Sequence, residues 1–168
     1  MSSEDTQNDK QGESGLSQFL SFTLGDDDYG IDILRVQEIR GWEEVRKIPH
    51  TPEYIKGVVN LRSVVVPIID MRIRFGQEKY DYNPTTVIIV ISVIYNENSH
   101  LLGIVVDSVS DVIDIDNSQI KPPPALGTNV NTEFMSGMFM VDERMIIVLD
   151  SDKLIDPDEI IAIENIVE

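Results

Sequence analysis

The chain has 168 residues, of which 42% are hydrophobic, and a chain of this length buries about two-thirds of its unfolded surface in one compact domain or two very small ones. It contains no cysteine, so disulfides and thiolate metal sites are excluded. Thirty acidic and thirteen basic residues give a formal charge of −17, which repels phosphate backbones and anionic lipid headgroups. Nucleic acid is therefore not expected as a partner. The acidity is explained by solubility or by a dedicated basic partner, and composition leaves both open.

The N-terminal segment, residues 1–15, holds four acids among Ser, Asn, Gln and Gly and has no apolar stretch. It does not resemble a signal peptide or a membrane anchor, and we predict a disordered acidic tail. The longest apolar run, Val87–Tyr95, is about half the length of a membrane-spanning helix. We therefore expect a soluble protein whose folded part occupies residues 16–155 and is followed by a C-terminal helix.

The first predicted element after the tail is a β-hairpin. In residues 19–24 the larger apolar residues alternate with Ser21 and Thr23, which is the period of a half-buried strand. A turn at 25–28 follows, and Tyr29, Ile31 and Ile33 then alternate in the same way. Further β-rich runs, mostly bounded by Gly, Asn, Asp or Pro, lie at 58–61, 64–69, 86–95, 101–106, 112–115, 138–141 and 145–149. These runs predict a mainly β protein with short helices.

The C-terminal residues 156–168 carry the signals of a helix. Asp156 is a suitable N-cap, Pro157 suits the first turn, and the acids that follow favour the helix dipole. Three apolar residues share one face of this helix: Ile160, Ile163 and Val167. We expect that face to pack as a lid on the core.

An internal duplication is the most informative feature of the sequence. Gly30-Ile31 followed by Val36, Glu38 and Ile39 is matched at the same spacing by Gly103-Ile104 followed by Val109, Asp111 and Val112. Residues 53–57 recur as 133–137, and each copy ends in an apolar strand and an acid, Asp70 or Asp150. Two copies of one unit, each of about five short strands, predict two small barrels. Chance similarity between β-rich segments is the alternative.

We therefore predict two five-stranded β-barrel subdomains packed side by side, with an approximate break near residues 81–84. Terminal segments of duplicated barrels often cross over to the partner barrel, so the two subdomains are expected to be interlocked. Residues 29–39 and 101–115 would then be equivalent elements.

The sequence offers little catalytic chemistry. Neither histidine, His50 or His100, lies near an acid and a nucleophile in a known motif. Four acids at 107, 111, 114 and 116 lack the glycine and the terminal glutamate of a calcium loop. We predict no enzyme, no cofactor and no metal. Two alternatives stay open: a small-molecule binding module and a hydrolase with scattered carboxylates. A ligand-induced thermal shift would favour the first, and measurable turnover abolished by a single Asp or Glu change would favour the second.

Two charges stand out because they lie within apolar stretches. Arg62 follows residues 58–61 and precedes 64–66, and Glu38 lies between Val36 and Ile39. Either charge would be costly to bury alone, so the two residues pair with each other, lie at the surface, or contact a partner. In the second copy Asp142 replaces Arg62, so the fold does not require an arginine there. We therefore single out Arg62 as a candidate partner contact, because its planar fork suits carboxylates.

Three blocks of the sequence resemble the chemotaxis coupling protein family CheW. They are YGIDILRVQEIRG at 29–41, TPEYIKGVVNLR at 51–62 with VPIID at 66–70, and GIVVD at 103–107 with VSDV at 109–112. The resemblance covers about residues 18–155, and so many ordered matches are more specific than one short motif.

The resemblance implies two SH3-like five-stranded barrels and a non-catalytic adaptor. Such an adaptor couples chemoreceptor cytoplasmic tips to the histidine kinase CheA, in the cytoplasm and at membrane-associated receptor arrays. It also implies a receptor-binding groove between the barrels, with matching positions at Val36, Glu38, Gly57, Arg62, Gly103, Val109 and Val112. The valines suit the core equally well, and the glycines suit turns or close packing.

Two departures from the family pattern are visible. Ser63 occupies a position where the family usually has glycine, which puts a turn with positive φ in doubt or makes it slightly strained. The turn expected at 96–100 is longer than usual, so we carry over no contacts for it.

Overall fold

The computed structural model describes residues 15–77, 80–123 and 132–167. The strands, in chain order, are β1 (Leu16–Leu24), β2 (Asp27–Asp32), β3 (Val36–Gly41), β4 (Ile55–Leu61), β5 (Val64–Asp70), β6 (Val87–Tyr95), β7 (Asn98–Val106), β8 (Ser108–Asp116), β9 (Met135–Val141) and β10 (Arg144–Leu149). The helices are α1 (Met71–Arg74) and α2 (Pro157–Val167). Short 3-10 turns lie at Ile33–Arg35, Asn117–Gln119, Thr132–Phe134 and Ser151–Lys153. The protein is mainly β, as predicted.

Each of the two sheets contains strands from both halves of the chain. Sheet 1 has the order β8-β1-β2-β10-β9, and sheet 2 has the order β3-β6-β7-β5-β4. If β1 to β5 correspond to β6 to β10, the two orders are the same. The first repeat therefore places its hairpin in sheet 1 and its other three strands in sheet 2, and the second repeat does the reverse. This shared order confirms the duplication.

Residues 81–84 lie between the two sets of five strands. Strand β5, which precedes them, nevertheless pairs with β7 of the second set within sheet 2. The position of a subdomain boundary near 81–84 therefore stays a prediction. The predicted acidic tail lies outside the described residues except for Gly15, whose carbonyl oxygen accepts a hydrogen bond from the backbone of Asn117 (3.0 Å).

Each sheet contains one parallel pair of strands, which joins the two repeats: β2 with β10 and β5 with β7. A glycine lies in each of these pairs. A Cβ atom on Gly103 would lie 2.4 Å from Ile68 Cδ1 and 2.9 Å from Ile88 Cγ2, and one on Gly30 would lie 3.2 Å from Ile146 Cγ2. Side chains from neighbouring strands thus fill the space over both glycines, more tightly at Gly103.

The turn between β4 and β5 corrects the expectation raised by Ser63. Arg62 and Ser63 adopt φ of 50° and 69°, so the turn with positive φ forms without glycine. The backbone of Ser63 donates a hydrogen bond to Asn60 Oδ1 (2.9 Å), which supports the turn. Two consecutive positive φ values match the right-handed twist of a two-residue hairpin.

The same geometry recurs in two other hairpins. Asn96 and Glu97 between β6 and β7, and Asp142 and Glu143 between β9 and β10, have φ of 50° and 66° in each pair. The expectation of a long turn at 96–100 is therefore wrong, because β7 already begins at Asn98. The tight turn lets β6 and β7 pair over their full length.

The apolar side chains form three clusters that follow the alternation of the strands. The sheet-2 cluster includes Ile68 and Ile88, and the sheet-1 cluster includes Phe19 and Ile146. The largest, the central cluster, takes side chains of the opposite strand faces in both sheets, among them Phe22 and Ile89. Burying one such side chain stabilises the fold by about 1.5 to 3 kcal/mol, so the central cluster holds the two sheets together.

Helix α2 closes one side of the central cluster. The Asp156 carboxylate accepts a hydrogen bond from the backbone of Asp158 (2.9 Å), which caps the first turn. Ile160 and Ile163 are each 2% exposed and belong to the central cluster. The predicted helix and its apolar face are confirmed at these two residues; the side chain of Val167 lies outside the described residues.

Candidate partner-binding site

Strand β3 presents a half-buried face and an exposed face in strict alternation. Val36, Glu38 and Arg40 lie on the half-buried face, and Ile39 lies on the exposed one. This alternation places two opposite charges beside an apolar residue at the edge of sheet 2, since β3 pairs only with β6 among the described strands.

An ion pair joins the two edges of sheet 2. Arg62 Nη2 lies 3.0 Å from Glu38 Oε1, although Glu38 is on β3 and Arg62 is in the turn after β4. Arg40 Nη1 approaches the other carboxylate oxygen of Glu38 at 3.5 Å. Since β3 and β4 are the two outer strands of this sheet, the contact requires a strongly curled sheet. Arg40 was missed by sequence reasoning, although its two-residue spacing from Glu38 on one strand could have indicated it.

Arg62 is exposed even though it is paired. Its side chain is 76% accessible, whereas that of Glu38 is 29% accessible. An ion pair so exposed contributes at most about 1 kcal/mol to folding. Asp142 occupies the corresponding turn with the same φ of 50°. The fold thus gains little from an arginine at this position, and the guanidinium is free to meet another molecule.

The three predicted valines have different surroundings. Val36 and Val109, at equivalent positions of the two repeats, are partly buried and pack against the central cluster. Val112 on β8 is 49% exposed and its equivalent, Ile39, is 43% exposed. The interpretation of Val112 as a core residue is therefore wrong. Both edge strands carry an exposed aliphatic side chain at matching positions.

The two predicted glycines are buried in sheet 2. Gly57 has φ of 146°, and a Cβ atom there would lie 2.1 Å from the carbonyl oxygen of Arg46. That close approach allows the backbones of Arg46 and Val58 to exchange two hydrogen bonds, at 2.8 and 3.0 Å. The side chains of Ile68 and Ile88 occupy the space over Gly103. Packing accounts for both glycines, and a partner contact at either stays a prediction.

A buried charge cluster, missed by sequence reasoning, supports this sheet. Arg72 is 1% exposed and donates to both oxygens of Asp70, which is 0% exposed (2.9 Å each). Arg72 also donates to Asp107 (3.0 Å), and Tyr82 donates its hydroxyl to Asp70 (2.8 Å). Asp107 in turn accepts a hydrogen bond from the backbone of Gly25, in the turn between β1 and β2 of sheet 1 (2.7 Å). The cluster therefore links the two sheets.

The protonation states in this cluster follow from burial and charge. Burial lowers the pKa of Arg72, but its hydrogen bonds and charge attraction to Asp70 and Asp107 outweigh burial and leave that pKa above its usual value. Burial, and next the hydrogen bond to Asp70, raises the pKa of Tyr82 well above its ordinary value. Arg72 is thus a cation and Tyr82 a neutral donor, as their partners require.

A second ion pair lies at the position related to Arg72–Asp107 by the duplication, with the two charges exchanged. Arg35 donates two hydrogen bonds to Asp152, at 2.7 and 2.9 Å. Asp152 also accepts from the backbone of Ile94 (2.7 Å). The hydrogen bond from Arg35 is the main reason why the pKa of Asp152 is lowered. In both pairs the arginine comes from the first repeat and the carboxylate from the second.

Comparison with known proteins identifies the family to which this chain is similar. The model of the CheW-like domain family matches residues 18–159. The chemotaxis protein CheW of Klebsiella aerogenes is 46% identical over 155 residues, which cover 92% of this chain and 91% of that protein. The probable chemotaxis protein CheW of Rhizobium etli is 35% identical over 83% of this chain and 88% of its own length. The crystal structure of the scaffolding protein TtCheW from Thermoanaerobacter tengcongensis superposes with a TM-score of 0.75 at 35% identity, covering 83% and 88% of the two chains.

This fold of two five-stranded sheets, together with the match to a scaffolding protein, defines the class of protein as a scaffold. The chain belongs to the CheW-like family, and its role is that of a chemotaxis adaptor. Of the helices within residues 15–77, 80–123 and 132–167, none has the length and apolarity needed to cross a membrane.

Proposed function

We propose that this adaptor couples chemoreceptor cytoplasmic tips to the histidine kinase CheA, without catalysing a reaction itself. Part of a receptor helical hairpin would bind in an apolar groove between the two sheets. Other exposed strand surfaces would meet the CheW-like regulatory domain of CheA. The adaptor would act in the cytoplasm and be recruited to membrane-associated receptor arrays. Each interface would bury on the order of 800 Å² per partner if it is of standard size.

The observation that carries this proposal is the exposure of Arg62. Its side chain is 76% accessible, and Glu38 holds one nitrogen of its guanidinium group at 3.0 Å. Val36, which is partly buried, is the first residue of β3, the strand that also carries Glu38. An oriented cation beside apolar surface suits a helix that offers a carboxylate and aliphatic side chains.

The matched pair of variants Arg62→Glu and Asp142→Arg tests this proposal. Both change a charge in the same type of two-residue turn, one in sheet 2 and one in sheet 1. We expect Arg62→Glu to weaken binding of a receptor cytoplasmic fragment at least tenfold, or about 1.4 kcal/mol. Asp142→Arg should change the affinity for the receptor fragment less than threefold. Isothermal calorimetry measures both affinities, and circular dichroism checks the fold.

Coupling is then measured by co-sedimentation of CheA with the receptor fragment in the presence of each variant. Less CheA should sediment with Arg62→Glu than with the unmodified adaptor. Normal receptor affinity and normal sedimentation with a folded Arg62→Glu protein would contradict the assignment of Arg62 to the receptor site.

A further inference from the structure

An open hollow lined by aromatic rings and lysines lies at one end of sheet 2. We call it the Trp42 hollow; its volume is about 480 Å³, and it is lined by Trp42, Glu44, Val45, Lys47, Lys56 and Tyr82. Three separate segments build it: the stretch after β3, strand β4 and the stretch before β6. It contains none of the seven residues considered for receptor coupling.

Hydrogen bonds and a cation–π contact fix the two aromatic rings that form the floor of the Trp42 hollow. The Trp42 and Tyr82 rings stack with centroids 4.2 Å apart and planes 23° apart. Tyr82 is anchored by its hydroxyl on Asp70 (2.8 Å), and Arg72 lies 4.9 Å from its ring centroid. The backbone of Trp42 donates to the Thr86 carbonyl (3.0 Å). A floor fixed in this way loses little entropy when a ligand covers it.

The lysines of the hollow have no carboxylate partner among the described residues. Lys47 is exposed, and Lys56 Nζ lies 5.7 Å from the Tyr82 centroid as a cation over an aromatic face. By contrast, Arg35, Arg40, Arg62, Arg72 and Arg144 each form an ion pair. Two unpaired cations beside a rigid aromatic floor are suited to a ligand that carries carboxylates.

The charge of the surrounding chain restricts the size of that ligand. Residues 36–63 contain five cations and four acids, a net charge of +1, whereas the rest of the chain contains eight cations and twenty-six acids, a net charge of −18. An extended polyanion such as a lipid surface or a nucleic acid would meet the acidic remainder. A short segment would meet only the local patch, because screening limits charge effects to about 8 to 10 Å.

We propose that the Trp42 hollow is a docking site for a short acidic segment of a partner protein. Carboxylates of that segment would pair with Lys47 and Lys56, and an apolar or aromatic side chain would lie over the stacked Trp42 and Tyr82 rings. Glu44 also lines the hollow, and its negative charge favours a segment whose acids are spaced apart over one that is acidic throughout. The site gives the adaptor a second contact, separate from Arg62.

The test uses the intrinsic fluorescence of the protein, because Trp42 is the one tryptophan of the sequence. The full chain is titrated with a capped peptide, Asp-Glu-Leu-Phe-Asp-Glu, and with the same peptide carrying Asn and Gln in place of its acids. We expect a saturable change of emission with the acidic peptide, at least tenfold weaker binding of the amide peptide, and weaker binding in high salt.

Charge-reversed variants show whether the hollow itself binds the peptide. The double variant Lys47→Glu with Lys56→Glu should lose at least tenfold in affinity, whereas Lys153→Glu, at an exposed lysine outside the hollow, should lose less than twofold. Equal binding of the two peptides, an equal loss in both variants, or an equal response to phosphatidylserine vesicles would overturn the proposal. No receptor or kinase is present, so failure of the proposed coupling function would not alter this result.

Discussion

Replacement of Arg72 by methionine would remove the cation that neutralises the buried carboxylate of Asp70. In the native protein Arg72 donates to both Asp70 oxygens, to Asp107 and to the Asp81 carbonyl. After the substitution Asp70 would keep its hydrogen bonds from Tyr82 and from the Arg72 backbone position, but no cation. Removal of one partner of a buried ion pair costs about 3 to 5 kcal/mol, which we expect as the loss in free energy of unfolding.

The size of this loss can be measured by urea unfolding and by calorimetry. A chain of this length loses about 2 to 4 °C of melting temperature per kcal/mol, so the expected decrease is about 6 to 20 °C. Arg144→Met is the matched control, because Arg144 is 52% exposed and lies 3.8 Å from Asp28. The control should lose less than about 1 kcal/mol.

A second substitution separates the charge from the packing. In the double variant with Asp70→Asn, the uncompensated carboxylate is gone, and we expect part of the lost stability to return. If Arg72→Met alone costs about 1 kcal/mol or less, or if the double variant is no more stable than the single one, the buried charge does not act as described.

Three further predictions concern packing, a turn and pH. Gly103→Val should destabilise the fold by more than about 3 kcal/mol in urea unfolding, because even its Cβ would lie 2.4 Å from Ile68 Cδ1; unchanged stability would contradict the close packing. Ser63→Gly should stabilise the protein by about 0.5 to 1 kcal/mol, since φ is 69° there; a loss of stability would show that the serine is not strained. Arg35→Gln should cost about 1 to 2 kcal/mol near neutral pH. Arg35 lowers the folded-state pKa of Asp152, so its contribution to stability is present above the unfolded pKa of about 3.9 and is lost as pH falls through the folded value. The free energies of unfolding of the native protein and of Arg35→Gln should therefore converge in acid. A difference that stays constant with pH would refute this prediction.

The sequence predicted the elements whose signals are local. The alternation around Tyr29 identified the first hairpin, the residues from Asp156 identified the last helix, and the duplication indicated two five-stranded units. The Arg62 interpretation also came from the duplication, since Asp142 at the matching position showed that the fold does not need the arginine. These inferences needed only spacing and comparison within one chain.

Other features depended on contacts that no local pattern reveals. Arg72 and Asp107 are 35 residues apart, and they meet because the chain crosses between sheets at that point. The Trp42 and Tyr82 rings likewise stack across forty residues of sequence. At Ser63 the preference of a single residue against positive φ was overruled by the twist of the hairpin. Tertiary geometry decided each of these cases.

The exchange of hairpins between the two repeats also affects how the chain becomes a folded protein. The hairpin of β1 and β2 hydrogen-bonds to β8 and β10, strands that are synthesised some eighty or more residues later. During translation it can complete its pairing only when the C-terminal strands have left the ribosome, whereas all five strands of sheet 2 lie within residues 36–106. A chain cut between the repeats would yield two pieces that each lack the strands their hairpin needs. We expect the pieces to be stable only together and the two sheets of the intact adaptor to unfold in one cooperative step.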